Sequence, residues 1–334
     1  MTVWLALFFA IGALGTWLAR VYAVQRNLLD QPGERRSHGI ATPRGGGVSI
    51  VLVLLIASLA LALREPARAL LWGGFALALL MVAGIGWWDD HRPLPAWLRL
   101  AVHAIAALVL AMLVLAAYGD VGLAIGAFVL ALVLTNVWNF MDGINGLATG
   151  QAALVAAGYA SALSGSAWAW LGWALLAACL GFLPFNFPRA RIFLGDVGSG
   201  ALGFAIAALA IAVVAEGAMA WPVAMVPLSA FLVDAGLTLG RRLLRRERWW
   251  TAHAQHAYQV WARNAGSHVP VMLAYAGWTA LGLLLVAGLP ARLGFSLTFA
   301  VVLAWYTSGA FFWWGLQRRG AGNRQDDQVE WRKE

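Results

Sequence analysis

The stretch 69–93, ALLWGGFALALLMVAGIGWWDDHRP, decides the fold. Its first 20 residues carry no charge, and the run then ends on two adjacent acids, Asp89 and Asp90. About 20 apolar residues in a helix cover the roughly 30 Å of a bilayer's hydrocarbon core. A strand of a membrane barrel would alternate apolar and polar residues, and this run does not alternate. The stretch therefore predicts a membrane-spanning helix whose acidic end lies at one membrane face.

Runs of the same kind recur along the chain. Of its 334 residues 62% are hydrophobic and 11% are charged, whereas a soluble domain has about 25% charged residues. We expect an all-α polytopic integral membrane protein, with one membrane domain at 1–316 and a polar tail at 317–334 that we expect to be disordered. The apolar runs predict about eleven transmembrane helices, at 3–20, 46–63, 69–88, 98–117, 121–138, 144–163, 167–184, 198–215, 219–239, 269–288 and 293–316.

The basic residues lie almost entirely on one side of this topology. With the N-terminus outside, the inner loops and the tail hold 20 of the 23 Lys and Arg residues, and the outer loops hold only Arg64, Arg68 and Arg292. Because cytoplasmic loops are enriched in Lys and Arg, we expect the N-terminus outside and the C-terminus in the cytoplasm. Attraction to anionic lipid headgroups accounts for the net charge of +8, so this charge does not indicate a nucleic acid partner.

Acidic residues gather at the same face. The adjacent Asp89 and Asp90 repel each other unless a cation lies between them, so they are either capped by Arg92 or part of a phosphate or metal site. For Asp234, inside the ninth span, a salt bridge to Arg241 or Arg242 and a direct catalytic role both stay open. The eight acids within or near this face are Asp30, Glu34, Asp89, Asp90, Asp142, Asp196, Asp234 and Glu247.

A second polar segment, TNVWNFMDGINGLA, occupies 135–148. It has polar residues at intervals of three, which would form one stripe on a helix: Asn136, Asn139, Asp142 and Asn145. For the first of these we favour a contact between helices. For the other three, the neighbouring glycines indicate an irregular backbone that approaches a ligand.

Two further segments have glycine-rich helix starts. In FNFPRARIFLGDVGSGALGF, at 185–204, three glycines surround Asp196, and the helix that follows should offer unpaired N–H groups and a positive dipole end. In ATPRGGGVSI, at 41–50, three glycines follow Arg36 and His38 of the preceding ERRSH. A carboxylate beside an anion-binding helix start suits a metal-bound phosphate.

The segment RRLLRRERWWTAHAQHAYQ, at 241–259, lies in the longest inner loop. His253 and His256 are spaced for zinc or phosphate, but no cysteine or third ligand is near, which argues against zinc. A histidine that contacts phosphate and an interfacial amphipathic segment both stay open.

These motifs, in this order and on one face, resemble the polyprenyl-phosphate N-acetylhexosamine-1-phosphate transferases, a glycosyltransferase family 4 type of enzyme, over residues 30–260. The segments GWWDDHRP, NFMDGINGLA and RIFLGDVGSG carry the resemblance, and AHAQHAYQ is similar to the O-antigen-initiating branch. Two positions depart from the family pattern: Pro93 stands where a third acid is common, and Asn145 replaces an aspartate.

The resemblance implies transfer of a HexNAc-1-phosphate from a UDP-sugar to undecaprenyl phosphate at the cytoplasmic face of a bacterial inner membrane. It implies Mg²⁺, or Mn²⁺, held by Asp196 with Asp89 and Asn139, and catalysis by Asp89, Asp90 and Asp196. The first two would face the lipid phosphate. A homodimer within the lipid bilayer stays open. The implied substrate-binding residues are Arg36, His38, Asn139, Asp142, Asn145, Asn186, Phe193, His253 and His256.

A transporter or flippase for an anionic solute is the alternative. Transporters usually bind solutes near the middle of the bilayer, on broken helices. Here the polar motifs crowd one surface, which favours an enzyme.

Overall fold

The computed structural model describes residues 2–31, 40–248, 251, 253–290 and 294–330, with side chains as far as Arg318. The protein is a helical bundle, as the sequence predicts. Its helices are α1 (Thr2–Gln25), α2 (Val48–Arg64), α3 (Ala69–His91), α4 (Ala96–Tyr118), α5 (Val121–Phe140), α6 (Leu147–Ala162), α7 (Ala167–Asn186), α8 (Asp196–Ala215), α9 (Trp221–Ala224), α10 (Ser229–Leu244), α11 (Ala257–Ala265), α12 (Val269–Gly288) and α13 (Phe295–Glu330).

Nine helical segments in the described ranges are long and apolar enough to cross a membrane, and one of them, Trp221–Leu244, combines α9, a 3₁₀ turn and α10. The other two predicted spans correspond to α2 and α6, of 17 and 16 residues. The ninth predicted span is not one continuous helix. It consists of α9, a 3₁₀ turn at Val226–Leu228, and α10. Pro227 lies in the interruption, and proline cannot donate the backbone hydrogen bond that continues an α-helix.

Helix α8 forms the centre of the bundle. Every residue from Val197 to Val213 is buried, and the helix packs against α3, α5 and α6. Small residues allow this close packing. A Cβ added at Gly203 would lie 2.1 Å from the carbonyl oxygen of Leu134 on α5. By contrast, little of α1 or α13 is buried, as expected for helices that face lipid.

Successive helices run in opposite directions, so the bundle has two distinct ends. At one end, which we call the Asp90 end, the last turn of α3 meets the first turn of α8. At the other, the Glu216 end, Glu216 follows α8 and binds Arg68 before α3 and Tyr118 at the end of α4. At the Asp90 end two short strands, β1 (Leu29–Asp30) and β2 (Thr42–Pro43), pair antiparallel.

Candidate active site

Asp90 is a buried helix cap. It lies in the last turn of α3, and its two carboxylate oxygens accept the backbone N–H groups of Asp196 and Val197 at 3.1 and 3.2 Å. The positive end of the α8 dipole further favours its charge. Arg44 donates to the backbone oxygen of Asp90, and its Nε lies 3.9 Å from the carboxylate. The prediction that α8 begins with unpaired N–H groups is therefore wrong, because Asp90 and the carbonyl oxygen of Gly195 accept them.

Asp89 points away from Asp90 and shares an arginine with Asp196. Arg99, in the first turn of α4, donates to Asp89 at 2.9 Å and to Asp196 at 2.6 Å. Asp89 also accepts the backbone N–H of Leu94. Arg92 does not cap the acidic pair; Arg99 and Arg44 do. The two adjacent carboxylates contact different cations, Asp89 with Arg99 and Asp90 with Arg44, and each arginine offsets part of their negative charge.

The glycines before α2 and around α8 bring two backbones together. A Cβ on Gly47 would lie 2.2 Å from the Cα of Gly198, and the N–H groups of Gly46 and Gly47 donate to the carbonyl oxygens of Phe193 and Leu194. These donors are thus used within the protein. Protein atoms fill the space beside these glycines: Gly47 and Gly198 face each other's backbone, and the side chains of Phe182 and Ile192 lie beside Gly46.

Asp142 differs from the other acids. Helix α5 ends at Phe140, so the predicted polar stripe breaks there and Asp142 lies in the loop before α6. No hydrogen bond or ion pair reaches its carboxylate from the residues that the structure describes. Burial, together with the nearby carboxylates of Asp196 and Asp90, raises the pKa of Asp142 well above its usual range. A carboxylate in this position needs a cation to stay charged.

A polar cavity of about 180 Å³ contains this carboxylate. It brings together the acids of three motifs with side chains that the sequence reasoning did not select, among them Arg44, Gln259 and His268. Its lining residues are Asp30, Arg44, Asp90, Asp142, Gly143, Ile144, Asn145, Asn186, Phe193, Gly195, Asp196, Gln259 and His268.

Three of the asparagines predicted to bind substrate make hydrogen bonds to other parts of the protein. The Asn139 amide donates to Ser199 on α8 at 3.0 Å. Asn145 donates to the carbonyl oxygen of Pro188, and Asn186 accepts the N–H of Gly146 at 2.7 Å. Asn145 and Asn186 still line the cavity, as does Phe193, whereas Asn139 does not.

The two loop histidines do not line this cavity. His256 is buried, with its Nδ1 3.7 Å from Asp234, and its ring lies 4.9 Å from that of His253. Among the described residues, the ion-pair partner of Asp234 is His256, whereas Arg242 pairs with Glu247. The Asp234 carboxylate also accepts backbone N–H groups of α11. Arg36 and His38 lie outside the described residues.

Arg99 is the functional candidate that the sequence could have revealed. It stands in the first turn of a span, where the helix dipole disfavours a positive charge. Such a position indicates an acidic partner, and Asp89 is ten residues earlier. Gln259 and His268 gave no comparable signal, because only the packing of α11 and α12 brings them to the cavity.

An apolar groove of about 320 Å³ reaches the same place from the side of the bundle. It runs between α1, α2 and α3, where Leu18, Leu52 and Trp87 are exposed. Arg44 and Asp90 line both the groove and the polar cavity. A polar compartment and an apolar one thus meet at a single ion pair.

The donor set fits a hard divalent cation only in part. Carboxylate oxygens are the ligands that Mg²⁺ prefers, and Asp142 supplies one without a protein partner. Within the described ranges, however, no three Asp, Glu, His or Cys side chains converge closely enough to hold a metal. Mg²⁺ commonly takes one or two carboxylates and completes its shell with water and substrate phosphates, and this site would suit such binding.

Several known proteins are similar to this chain. Residues 72–214 match the model of the glycosyl transferase family 4. The chain is 31% identical, over 254 residues, to an undecaprenyl-phosphate alpha-N-acetylglucosaminyl 1-phosphate transferase of Thermotoga maritima, covering 75% of this chain and 78% of that protein. It is 34% identical to a decaprenyl-phosphate N-acetylglucosaminephosphotransferase of Mycobacterium leprae, covering 62% of this chain and 58% of that protein.

A third relative comes from another branch. The chain is 35% identical to a phospho-N-acetylmuramoyl-pentapeptide-transferase of Moorella thermoacetica, over 58% of this chain and 68% of that protein. The matched segment holds Asp89, Asp90, Asp142 and Asp196. The chain belongs to glycosyl transferase family 4, the superfamily of the polyprenyl-phosphate sugar-1-phosphate transferases.

Proposed function

We propose that this protein transfers a HexNAc-1-phosphate, or a related sugar-1-phosphate, from a UDP-sugar to undecaprenyl phosphate. The reaction releases UMP and leaves a lipid-linked diphospho-sugar that starts a cell-surface polysaccharide. The meeting of two compartments carries this proposal: a polar cavity and an apolar groove share Arg44 and Asp90. Such a junction suits one water-soluble anionic substrate and one lipid phosphate.

The protein's own groups suit a phosphate reaction. Arg44 and Arg99 present positive charge on two sides of the acids. Asp142 and Asp196 offer carboxylate oxygens toward the cavity for Mg²⁺. Mg²⁺, or Mn²⁺, would neutralise the phosphate charges that have to come together.

A strong base is not required. The second pKa of a phosphate monoester is about 6, so most of the acceptor is already a dianion at neutral pH. Asp89 therefore acts in this proposal by holding Arg99, and Asp90 by holding α8 and Arg44 in place. The attacking phosphate oxygen forms a bond to the β-phosphorus of the donor, and UMP leaves with the electron pair of the broken bond.

In this proposal the nucleotide binds beside Asp142. Phe193 offers an aromatic face and Asn145 an amide to a uracil, and both line the cavity beside Asp142. The similarity of AHAQHAYQ to the O-antigen-initiating branch favours a role in lipopolysaccharide O-antigen synthesis over peptidoglycan synthesis. A panel of UDP-HexNAc donors tests this preference, and use of UDP-MurNAc-pentapeptide alone would contradict it.

The orientation follows from charge. The Asp90 end carries Arg26, Arg44 and Arg99, whereas Arg64 and Arg68 lie at the Glu216 end. The excess of basic residues supports a cytoplasmic Asp90 end, and with it an inner-membrane location.

One experiment tests reaction and orientation together. Membrane vesicles that contain the protein receive a radiolabelled UDP-HexNAc, which does not cross membranes, and transfer to undecaprenyl phosphate is measured. We expect transfer in inside-out vesicles and almost none in sealed right-side-out vesicles until detergent is added. Absence of transfer in detergent would contradict the reaction, and equal transfer in both sealed preparations would contradict the orientation.

A further inference from the structure

Asp234 is a buried acid that the proposed reaction does not use. It lies in α10, is 2% exposed, and accepts four hydrogen bonds from three elements of the fold. Two come from the backbone N–H groups of Ala257 and Tyr258, at 2.8 and 3.1 Å. The others come from the hydroxyls of Tyr275 on α12, at 2.7 Å, and Thr238 on α10, at 3.2 Å. The carboxylate thus caps the start of α11 from another helix.

Helix α11 is short enough to gain stability from such an external contact, in addition to its own capping box of His256 and Gln259. It has nine residues, and isolated helices shorter than about 12 residues are marginal in water. Two orphan N–H groups of its first turn find their acceptor in Asp234. Among the described residues, Asp234 is thus the side chain that binds the first two backbone N–H groups of this helix.

The same turn forms a wall of the polar cavity. Gln259 lines the cavity and packs against the loop of Asp142: a Cβ added at Gly143 would lie 3.2 Å from its Nε2. The hydroxyl of Tyr258 donates to the carbonyl oxygen of Phe140 at 2.9 Å, just before that loop. A shift of α11 would move Gln259 and loosen the support of Asp142.

We propose that Asp234 is a positioning residue for the donor side of the site. It fixes the first turn of α11, and through this turn it sets the place of Gln259 and of the loop that carries His253 and His256. The kinetic part of this inference rests on the proposed function, because it assigns the cavity to the nucleotide sugar. The structural part, that Asp234 holds α11, stands without it.

A simpler role would be to join α10 to α12 through Tyr275. Tyr275→Phe provides a matched control, since it removes one hydrogen bond to the same carboxylate without touching α11. If Asp234 served only this join, Tyr275→Phe and Asp234→Asn should have similar effects. If it positions α11, only Asp234→Asn should act strongly on the cavity.

Hydrogen exchange tests the structural part on the full-length protein in nanodiscs. In Asp234→Asn we expect the amides at the start of α11 to exchange about 10- to 100-fold faster, because they lose a charged acceptor. Exchange in α8 should stay unchanged, and Tyr275→Phe should leave α11 protected. Asp234→Glu, which keeps the charge but moves it, should give an intermediate rate and serves if Asp234→Asn does not fold. Unchanged protection of α11 in both Asp234 variants would overturn the proposal.

Kinetics test the functional part. Asp234→Asn should raise the KM for the UDP-sugar and lower its kcat/KM by about 10- to 100-fold, with little change in the KM for the lipid acceptor. Gln259→Ala should act in the same direction, and the double variant should be no worse than Asp234→Asn alone, since one effect passes through the other. If the losses of kcat/KM in Asp234→Asn and Gln259→Ala were additive in the double variant, or if Tyr275→Phe lost as much as Asp234→Asn, Asp234 would not act through α11. A wild-type protein without transfer activity would contradict the proposed function and leave the exchange result to decide on Asp234.

Discussion

The two ends of the bundle use acids in different ways. At the Glu216 end each described acid has a protein partner: Glu216 binds Arg68 and Tyr118, Glu65 accepts from the indole of Trp72, and Asp120 caps α5. At the Asp90 end one arginine serves two carboxylates, and Asp142 has no partner among the described residues.

The partners of the acids therefore distinguish structural carboxylates from carboxylates that can bind a ligand. A partnered acid at a helix end stabilises the fold and needs nothing further. A carboxylate that approaches two others without a cation destabilises the protein unless a ligand supplies the missing charge. The Asp90 end is therefore the place where an external cation and phosphates can bind, and the Glu216 end is its natural control.

Removal of divalent cations should have the largest effect at the Asp90 end. With EDTA we expect transfer to fall by more than about 10³-fold, because the acids and the substrate phosphates would otherwise repel one another. Added Mg²⁺ or Mn²⁺ should restore it, as measured by label in the lipid product. Full transfer after exhaustive chelation would remove the metal from the proposal.

The variant Asp142→Asn should lower kcat/KM by at least about 10²-fold, since it removes the carboxylate that lacks a protein partner. Glu216→Gln is the matched control and should stay within about twofold of the wild type, because an exposed ion pair contributes little. Both are measured at saturating Mg²⁺. Equal losses of kcat/KM in the two variants would show that acids at the two ends of the bundle do not differ in function.

The variant Asp90→Asn should lower stability as well as activity. It leaves one of two α8 N–H groups without its charged acceptor, a loss of about 2 kcal/mol. Thermal unfolding in detergent measures this loss, and Glu216→Gln should lose less than about 1 kcal/mol. Undiminished stability with lost activity would show that Asp90 acts on substrate and not as the cap of α8.

The smallest expected effect is a pH-dependent change in thermal stability that follows from the raised pKa of Asp142. A carboxyl group whose pKa is raised in the folded state destabilises that state as pH rises above the unfolded pKa, near 3.9. Without divalent cations, Asp142→Asn should therefore unfold about 2–4 °C higher than the wild type at pH 8, and the two should converge near pH 4. Added Mg²⁺ should reduce the difference at pH 8 by stabilising the wild type. A wild type that is the more stable protein at pH 8 without cations would show that Asp142 has a partner in the fold.

The sequence by itself determined the membrane class and nearly all helices. Runs such as 69–88 are apolar over a bilayer's thickness, and hydropathy is a local property that needs no knowledge of neighbours. Its motifs and the family resemblance also predicted site residues that the structure gathers around a cavity, namely Asp90, Asp142, Asn145, Asn186, Phe193 and Asp196, whereas Asp89, Asn139, His253 and His256 do not line it. Their individual roles in the reaction stay predictions.

Only the tertiary structure decided what each acid faces. Asp90 and Asp196 are 106 residues apart in the chain, and Asp234 and Ala257 are 23 apart. No local pattern predicts that a carboxylate will cap a helix so distant in sequence, so unpaired helix ends were expected where capped ones are found. The glycines show the same limit: their small size predicts a close approach, but only the packing of α2 against α8 shows that the partner is protein backbone. Helix formation depends on near neighbours, whereas the partner of a buried charge depends on how the helices pack.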